Sequence, residues 1–300
     1  MIPVLFLITL FIFALVRLVP GDPASSMLGD RATPDRVEML NKSLKLDRPY
    51  HIQYVAFMRN LARADLGDSI RRREPVRDIL IERVQPTIFL ATYTMVIAVL
   101  ITVPLATVAA LNKGRFPDQA VRVFTVLALG LPTYWVGMML LQFFAVKNRV
   151  FPVSGWGHGF FGHIEALFLP AIALALYLSS LMTRSLRNSI LETLEADYVR
   201  TARAKGLTGR QILTWHVLRN SALSTITILG LNFAFLLGGA TITESIFAIP
   251  GLGQLIVSSI FNRDYPVIQG VTLAIGIIVL TVTLLTDIVY AMLDPRVSYE

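Results

Sequence analysis

Residues 191–221 read LETLEADYVRTARAKGLTGRQILTWHVLRNS, the one long charged interruption between hydrophobic segments of the chain. Leu191, Leu194, Tyr198 and Ala202 recur at helical spacing with Glu192, Glu195, Arg200 and Arg203 among them. That pattern predicts a helix with one apolar or small face in need of something to pack against. Gly206 offers a left-handed residue to end it, and Thr208 and Gln211 match the capping box that would open a second helix through Ile212, Trp215 and Leu218. The stretch is therefore read as helix, tight glycine turn and helix, lying on a membrane surface.

The membrane follows from the flanks. Hydrophobic residues make up 54% of the 300, and the mean hydropathy is +0.62. Soluble chains average about 45–50% apolar and interrupt their apolar runs sooner. The sequence has no cysteine, which excludes disulfides, zinc–thiolate sites and cysteine nucleophiles. Its formal charge of +7 resides in loops between apolar segments, where basic bias reflects topology rather than nucleic-acid binding.

Six spans are expected: residues 2–19, 86–111, 118–146, 164–186, 221–248 and 266–293, of which 164–186 is the least clear. The first is close to the roughly 20 residues a bilayer core requires. A cleaved signal peptide is the competing reading there, weakened by the absence of a basic start and of an A-x-A site; the abrupt start also leaves room for a longer natural N-terminus. Residues 20–85 carry 12 Lys/Arg against 10 Asp/Glu and two expected short helices. One begins at Thr33-Pro34-Asp35, and the other follows Asp47-Arg48-Pro49. Arg71-Arg72-Arg73 is either a binding patch or a solvated, headgroup-facing cluster. Pro104 and Gly130-Leu131-Pro132 fall inside spans and predict kinks.

Basic residues set the orientation. Lys113, Arg115 and Arg122 follow the second span, and Arg184, Arg187, Arg200, Arg203, Lys205, Arg210 and Arg219 cluster in and around the helix–turn–helix loop of residues 187–220. Residues 151–165 have no Lys or Arg, and residues 249–266 have Arg263 alone. Both termini, including the tail 294–300, and the helix–turn–helix loop are expected in the cytoplasm, with residues 20–85 outside.

Chemistry is conspicuous by what is missing. No P-loop pattern occurs, so any ATP dependence must come from another chain. His51, His158, His163 and His216 all fall outside the spans, so no intramembrane Ser/His pair or two-histidine metal site is expected and no catalytic residue is assigned. His158 and His163, five apart, make a weak metal candidate. Glu244 and Asp287 are the ionisable residues inside spans, and each is read as lying near an interface where water or an interfacial partner satisfies it. No self-similarity between halves supports an ion-coupled secondary transporter, which stays the main alternative. Gly230, Ala234, Gly238 and Gly239 form a stripe of small residues, read as a packing seam, a pore-lining interface with a second subunit, or both.

These residues carry a family resemblance. Asp197-Tyr198-Val199-Arg200-Thr201-Ala202-Arg203-Ala204-Lys205-Gly206-Leu207 resembles the EAA loop of the inner-membrane permease subunits of ABC importers, in the form found in the peptide and nickel branch. Pro20-Gly21-Asp22-Pro23, Leu66-Gly67-Asp68-Ser69, Gly238-Gly239-Ala240, Pro250-Gly251-Leu252-Gly253 and Arg263-Asp264-Tyr265-Pro266-Val267-Ile268-Gln269-Gly270 are similar to further family stretches in the same order. Two departures from the general pattern are Arg200-Thr201-Ala202 in place of an acidic-Ala-Ala start and Arg219 where proline is common.

The resemblance implies an all-α membrane protein of the type I ABC importer permease fold, with six transmembrane helices and a small helical periplasmic region after the first. It implies a permease in the bacterial inner membrane carrying di- or oligopeptides, with glutathione or nickel as alternatives. Its partners would be a second, homologous but distinct permease, two cytoplasmic ATPase subunits holding ATP and magnesium, and a periplasmic or lipid-anchored substrate-binding protein. Asp197, Tyr198, Ala202, Arg203, Ala204, Lys205, Gly206 and Leu207 would form the ATPase-coupling helix, the small alanines allowing close approach and the basic residues offering charge contacts. Trp156, Pro250, Gly251 and Gly253 would face the binding protein.

Overall fold

A computed structural model describes residues 2–18, 32–43 and 48–293. Pro20-Gly21-Asp22-Pro23 and the tail 294–300 lie outside the described residues. The described chain is helical, with an isolated bridge between Asp68 and Pro75 as its one β feature. In order, the helices are α1 (Ile2–Leu18), α2 (Pro34–Ser43), α3 (Tyr50–Leu61), α4 (Val76–Leu111), α5 (Phe116–Gly130) and α6 (Thr133–Leu140), which ends in a π-helical turn, Leu141–Lys147. They continue with α7 (Gly159–Glu195), α8 (Asp197–Ala204), α9 (Arg219–Ile246), α10 (Leu252–Phe261) and α11 (Tyr265–Leu293).

Apart from Leu131-Pro132 and Phe247-Ala248, each of the six segments expected to span is helical over its described residues. By length and composition Val76–Leu111, Gly159–Glu195 and Tyr265–Val289 can each cross a membrane. The expected span 118–146 is instead two helices, α5 and α6, set at 98° to one another. Pro132 is the cause: it has no N–H to donate and disfavours helix at the residue before it, so Leu131 is extended (φ −88°, ψ 126°) and Pro132 becomes the N-cap of α6. The second span starts at Val76, ten residues before Pro86, because Val76, Ile79 and Leu80 already place apolar side chains on one helical face. Residues 249–266, expected as a loop, hold the helix α10.

The chain forms two units. The first comprises residues 1–87 and 250–280, and its core joins Val76, Ile79 and Leu80 of α4 to Leu252 and Leu255 of α10 and to Val267 and Val271 of α11. Both short helices expected before residue 85 are present, as α2 and α3. Tyr54 of α3 meets α1 through an edge-on contact with Phe13, at 5.2 Å between ring centroids, and a 3.0 Å hydrogen bond with Thr9.

Two of the family-like stretches join in this unit. Buried Asp264 accepts hydrogen bonds from Ser69 Oγ (2.5 Å), Ile70 N (3.2 Å) and Arg71 N (3.4 Å), while Ser69 Oγ accepts from Arg72 N (3.0 Å). Six residues along, a Cβ on Gly270 would stand 2.6 Å from Val76 Cγ1, so only glycine lets α11 lie this close to α4. Arg71, Arg72 and Arg73 are exposed on the turn that Asp264 clamps.

The second unit comprises residues 88–249 and 281–300, organised around α7. Of the apolar window of α7, 72% is buried, against 33% for α4 and 22% for α11, which marks α7 as the central helix. Leu167, Leu174, Leu178 and Met182 of α7 pack with Leu90 and Ala98 of α4, Leu236 and Ala240 of α9, and Phe247. Glu244 of α9 is fully buried, which removes direct hydration from the two ways expected to satisfy it; Asp287 is exposed.

Candidate functional site

The charged stretch 191–221 folds as helix, turn and helix, with its boundary moved. Residues 191–195 are the end of α7, a 37-residue helix that outruns the expected span 164–186 by nine residues at this end. Ala196, extended at φ −68°, ψ 146°, breaks the chain, and α8 starts afresh at Asp197. Its last turn is closed by Gly206 at φ +82°, with Gly206 N bonded to Arg203 O (3.0 Å) and Leu207 N to Ala202 O (3.3 Å). Thr208 then forms the expected capping box. Its hydroxyl accepts from Gln211 N (3.4 Å), and Gln211 Oε1 accepts from Thr208 N (2.9 Å). Gly209–Gln211 leads into a π-helical turn, Ile212–Leu218, and on into α9.

Only two side chains of α8 are buried, Val199 and Ala202. They belong to a cluster with Ala106 and Ala110 of α4, Leu186 and Ile190 of α7, and Ile212 and Val217 of the π-helical turn, and Leu207 packs against it half-buried. Two expectations change. Tyr198 does not lie on the packed face: it is 46% exposed and tied at its rim by a 3.1 Å hydrogen bond from Asn220 Nδ2. Ala202 packs inward, so its small size serves the chain's own core rather than close approach by another chain. Trp215, which falls within the expected second helix, is 69% exposed. The outward surface of α8 consists of Asp197, Tyr198, Arg200, Thr201, Arg203 and Ala204, and Lys205 and Gly206 continue it past the helix end.

The same unit holds a buried carboxylate, Asp118, that the sequence marks only as the start of a span. Asp118, in the first turn of α5, is fully buried. Arg187 of α7 grips it with both arms of its guanidinium, Nε and Nη2 each at 2.7 Å. Arg122 adds contacts at 3.4 and 3.0 Å and Gly114 N one at 2.9 Å, so five N–H groups satisfy the two oxygens. No spacing rule could have paired Asp118 with Arg187, since the two lie 69 positions apart.

The remaining candidates divide. A Cβ on Gly230 would collide with the side chain of Thr286 in α11, so this glycine is a packing contact within the chain. A Cβ on Gly238 would meet open space. Ala234 and Gly239 are both positions of α9, and their burial lies outside what is described. Gly251 and Gly253 are buried and Pro250 half-buried, where Leu252 N donates to Thr87 Oγ1 (2.8 Å). These glycines seat α10 in its own unit, which corrects their expected place on an outward docking face. Trp156 is half-buried and stacked on His163 at 3.8 Å, with His163 Nδ1 2.8 Å from Trp156 O; that packing occupies the histidine once weighed as a metal ligand.

Comparison with known proteins agrees along the whole length. Residues 102–299 match the family model "Binding-protein-dependent transport system inner membrane component", and residues 1–91 match that of the N-terminal part of such membrane components. The chain is 36% identical over 301 residues to the "Probable peptide ABC transporter permease protein y4tP" of Sinorhizobium fredii, covering 99% of this chain and 96% of that one. It is 35% identical over 303 residues to the glutathione transport system permease protein GsiC of Escherichia coli, covering 100% and 96%. Among solved structures, a chain of the MetNI methionine ABC transporter in an inward-facing conformation superposes with a TM-score of 0.58 at 16% identity, over 72% of this chain and 96% of that one, a likeness of fold.

Proposed function

Because the chain belongs to the family of binding-protein-dependent transport system inner membrane components, we propose that it is the permease subunit of an ABC importer and forms the path by which peptides cross the bacterial inner membrane. It works with a second, distinct permease, two ATPase subunits that hold ATP and magnesium, and a substrate-binding protein on the outer side. Both termini and α8 lie in the cytoplasm, as the distribution of basic residues supports.

The observation that carries this reading is the two-sidedness of α8. Val199 and Ala202 fix it to the cytoplasmic ends of α4 and α7 and to the π-helical turn that precedes α9, while Arg203, Ala204, Lys205 and Tyr198 stand outward with room for a partner. A helix packed into the chain on one face and free on the other can pass a push from a partner into the spans. ATP-driven closure of the ATPases would then shift the permease between inward- and outward-open states, a change of populations rather than chemistry in this chain. Glutathione, itself a small peptide, is the second substrate reading, and the 35% identity to GsiC favours it over nickel.

The test is reconstitution of the complete complex in liposomes. Labelled dipeptide should enter only with ATP and the binding protein present, and glutathione should compete if the second substrate reading holds. Uptake by this chain alone under an ion gradient would overturn the proposal in favour of a secondary transporter.

A further inference from the structure

The Asp118–Arg187 pair occupies an unusual place. Asp118 opens α5, the first arm of the span broken at Pro132, and Arg187 lies two turns before α7 gives way to α8. Arg122 is a local partner one turn away on α5, half in solvent, whereas Arg187 is mostly buried and reaches Asp118 from another helix. Around the α7–α8 junction the described residues also include the small apolar cluster, which is not directional, two hydrogen bonds near the surface, Thr193–Ser221 and Asn220–Tyr198, and an exposed Lys113–Glu195 ion pair at 3.7 Å. The helices α5 and α7 also pack against each other; of the polar links, the two-armed Arg187–Asp118 contact is the buried one with fixed geometry that joins the α7 end to α5.

We propose that Asp118 and Arg187 form a strut that carries displacement of α8 into α5, so that movement imposed on α8 swings the arm of the bent span and not merely the end of α7. Both are positioning residues and neither touches substrate. The inference rests on the reading of α8 as the ATPase contact. Coupled motion needs an element that holds its shape while it moves, and a fully satisfied buried ion pair is such an element: its partners cannot slide without leaving a charge buried and unpaired.

The test uses the complete complex. The chain has no cysteine, so Ala204→Cys provides a single handle for cross-linking α8 to an ATPase. In the wild-type background, ATP-dependent cross-linking and uptake establish that α8 contacts the ATPase; their absence overturns that reading and this inference with it. Given that contact, Asp118→Asn and Arg187→Gln should keep the cross-link and ATP hydrolysis yet lower peptide transported per ATP about fivefold or more, the lower end of ordinary coupling between sites. Arg187→Lys, which keeps the charge without the fork, should fall between. The double variant Asp118→Asn/Arg187→Gln should be no worse than the more severe single one, as expected of two ends of one contact. Unchanged transport per ATP in both single variants, or loss of the cross-link and of assembly in both, would overturn the strut and leave the pair a device of folding only.

Discussion

At the scale of the residue, Ala202 and Ala204 look equivalent in the sequence and are opposite in the structure. Ala202 is 6% exposed within the chain's own cluster, and Ala204 is exposed. Ala202→Leu should therefore lower the thermal stability of the detergent-solubilised chain on its own, by about 1–3 kcal/mol, as overpacking does. Ala204→Leu should leave the isolated chain's melting unchanged and weaken only its association with ATPase subunits, measured by pull-down. Asp264 is the corresponding anchor of the first unit. Asp264→Asn replaces the charged acceptor of three hydrogen bonds and should destabilise the turn of residues 69–73 by roughly 1–3 kcal/mol. Proteolysis at Arg71–Arg73, where three exposed arginines invite trypsin, would report it as faster cleavage.

At the scale of the element, α8 exists as a separate helix because Ala196 leaves the helical region and Gly206 enters the left-handed one. Gly206→Pro cannot adopt φ +82° and removes the N–H bonded to Arg203, so it should abolish ATP-dependent uptake while the chain still inserts in the membrane. Gly206→Ala strains the backbone by about 1–2 kcal/mol and should reduce uptake without abolishing it. Both are read by transport in vesicles normalised to the amount of chain in the membrane. Gly206 and the Thr208–Gln211 capping box were legible in the sequence because caps are local chemistry. The break at Ala196 was not, since Leu191, Leu194, Tyr198 and Ala202 fit one continuous helix. The 98° turn between α5 and α6 was visible as Gly130-Leu131-Pro132, but its size was not, because a proline within a span can bend a helix or end it depending on what packs alongside.

At the scale of the whole molecule, each unit holds its own core, and the family-like stretches among the described residues fall within one unit or the other. Leu66–Ser69 and Arg263–Gly270 meet through Asp264, and Pro250–Gly253 seats α10 through the Thr87 hydroxyl. Purification of the chain from its native membrane should bring down ATPase subunits and a second permease. A chain that purifies alone and transports alone would contradict a multi-subunit importer.

The sequence by itself determined the membrane class, the six apolar segments, the two short helices after the first, and the cap and turn chemistry of residues 191–221. All of these arise from hydrophobic period, charge bias and local backbone preference, which act over a few residues. Only the tertiary structure decided that Ala202 faces inward, that Gly251 and Gly253 are buried, that Glu244 is enclosed, and that Asp118 is held by Arg187. Which side of a short helix is covered, and which distant charge a buried carboxylate meets, depend on neighbours brought together from far along the chain, and no local pattern encodes them.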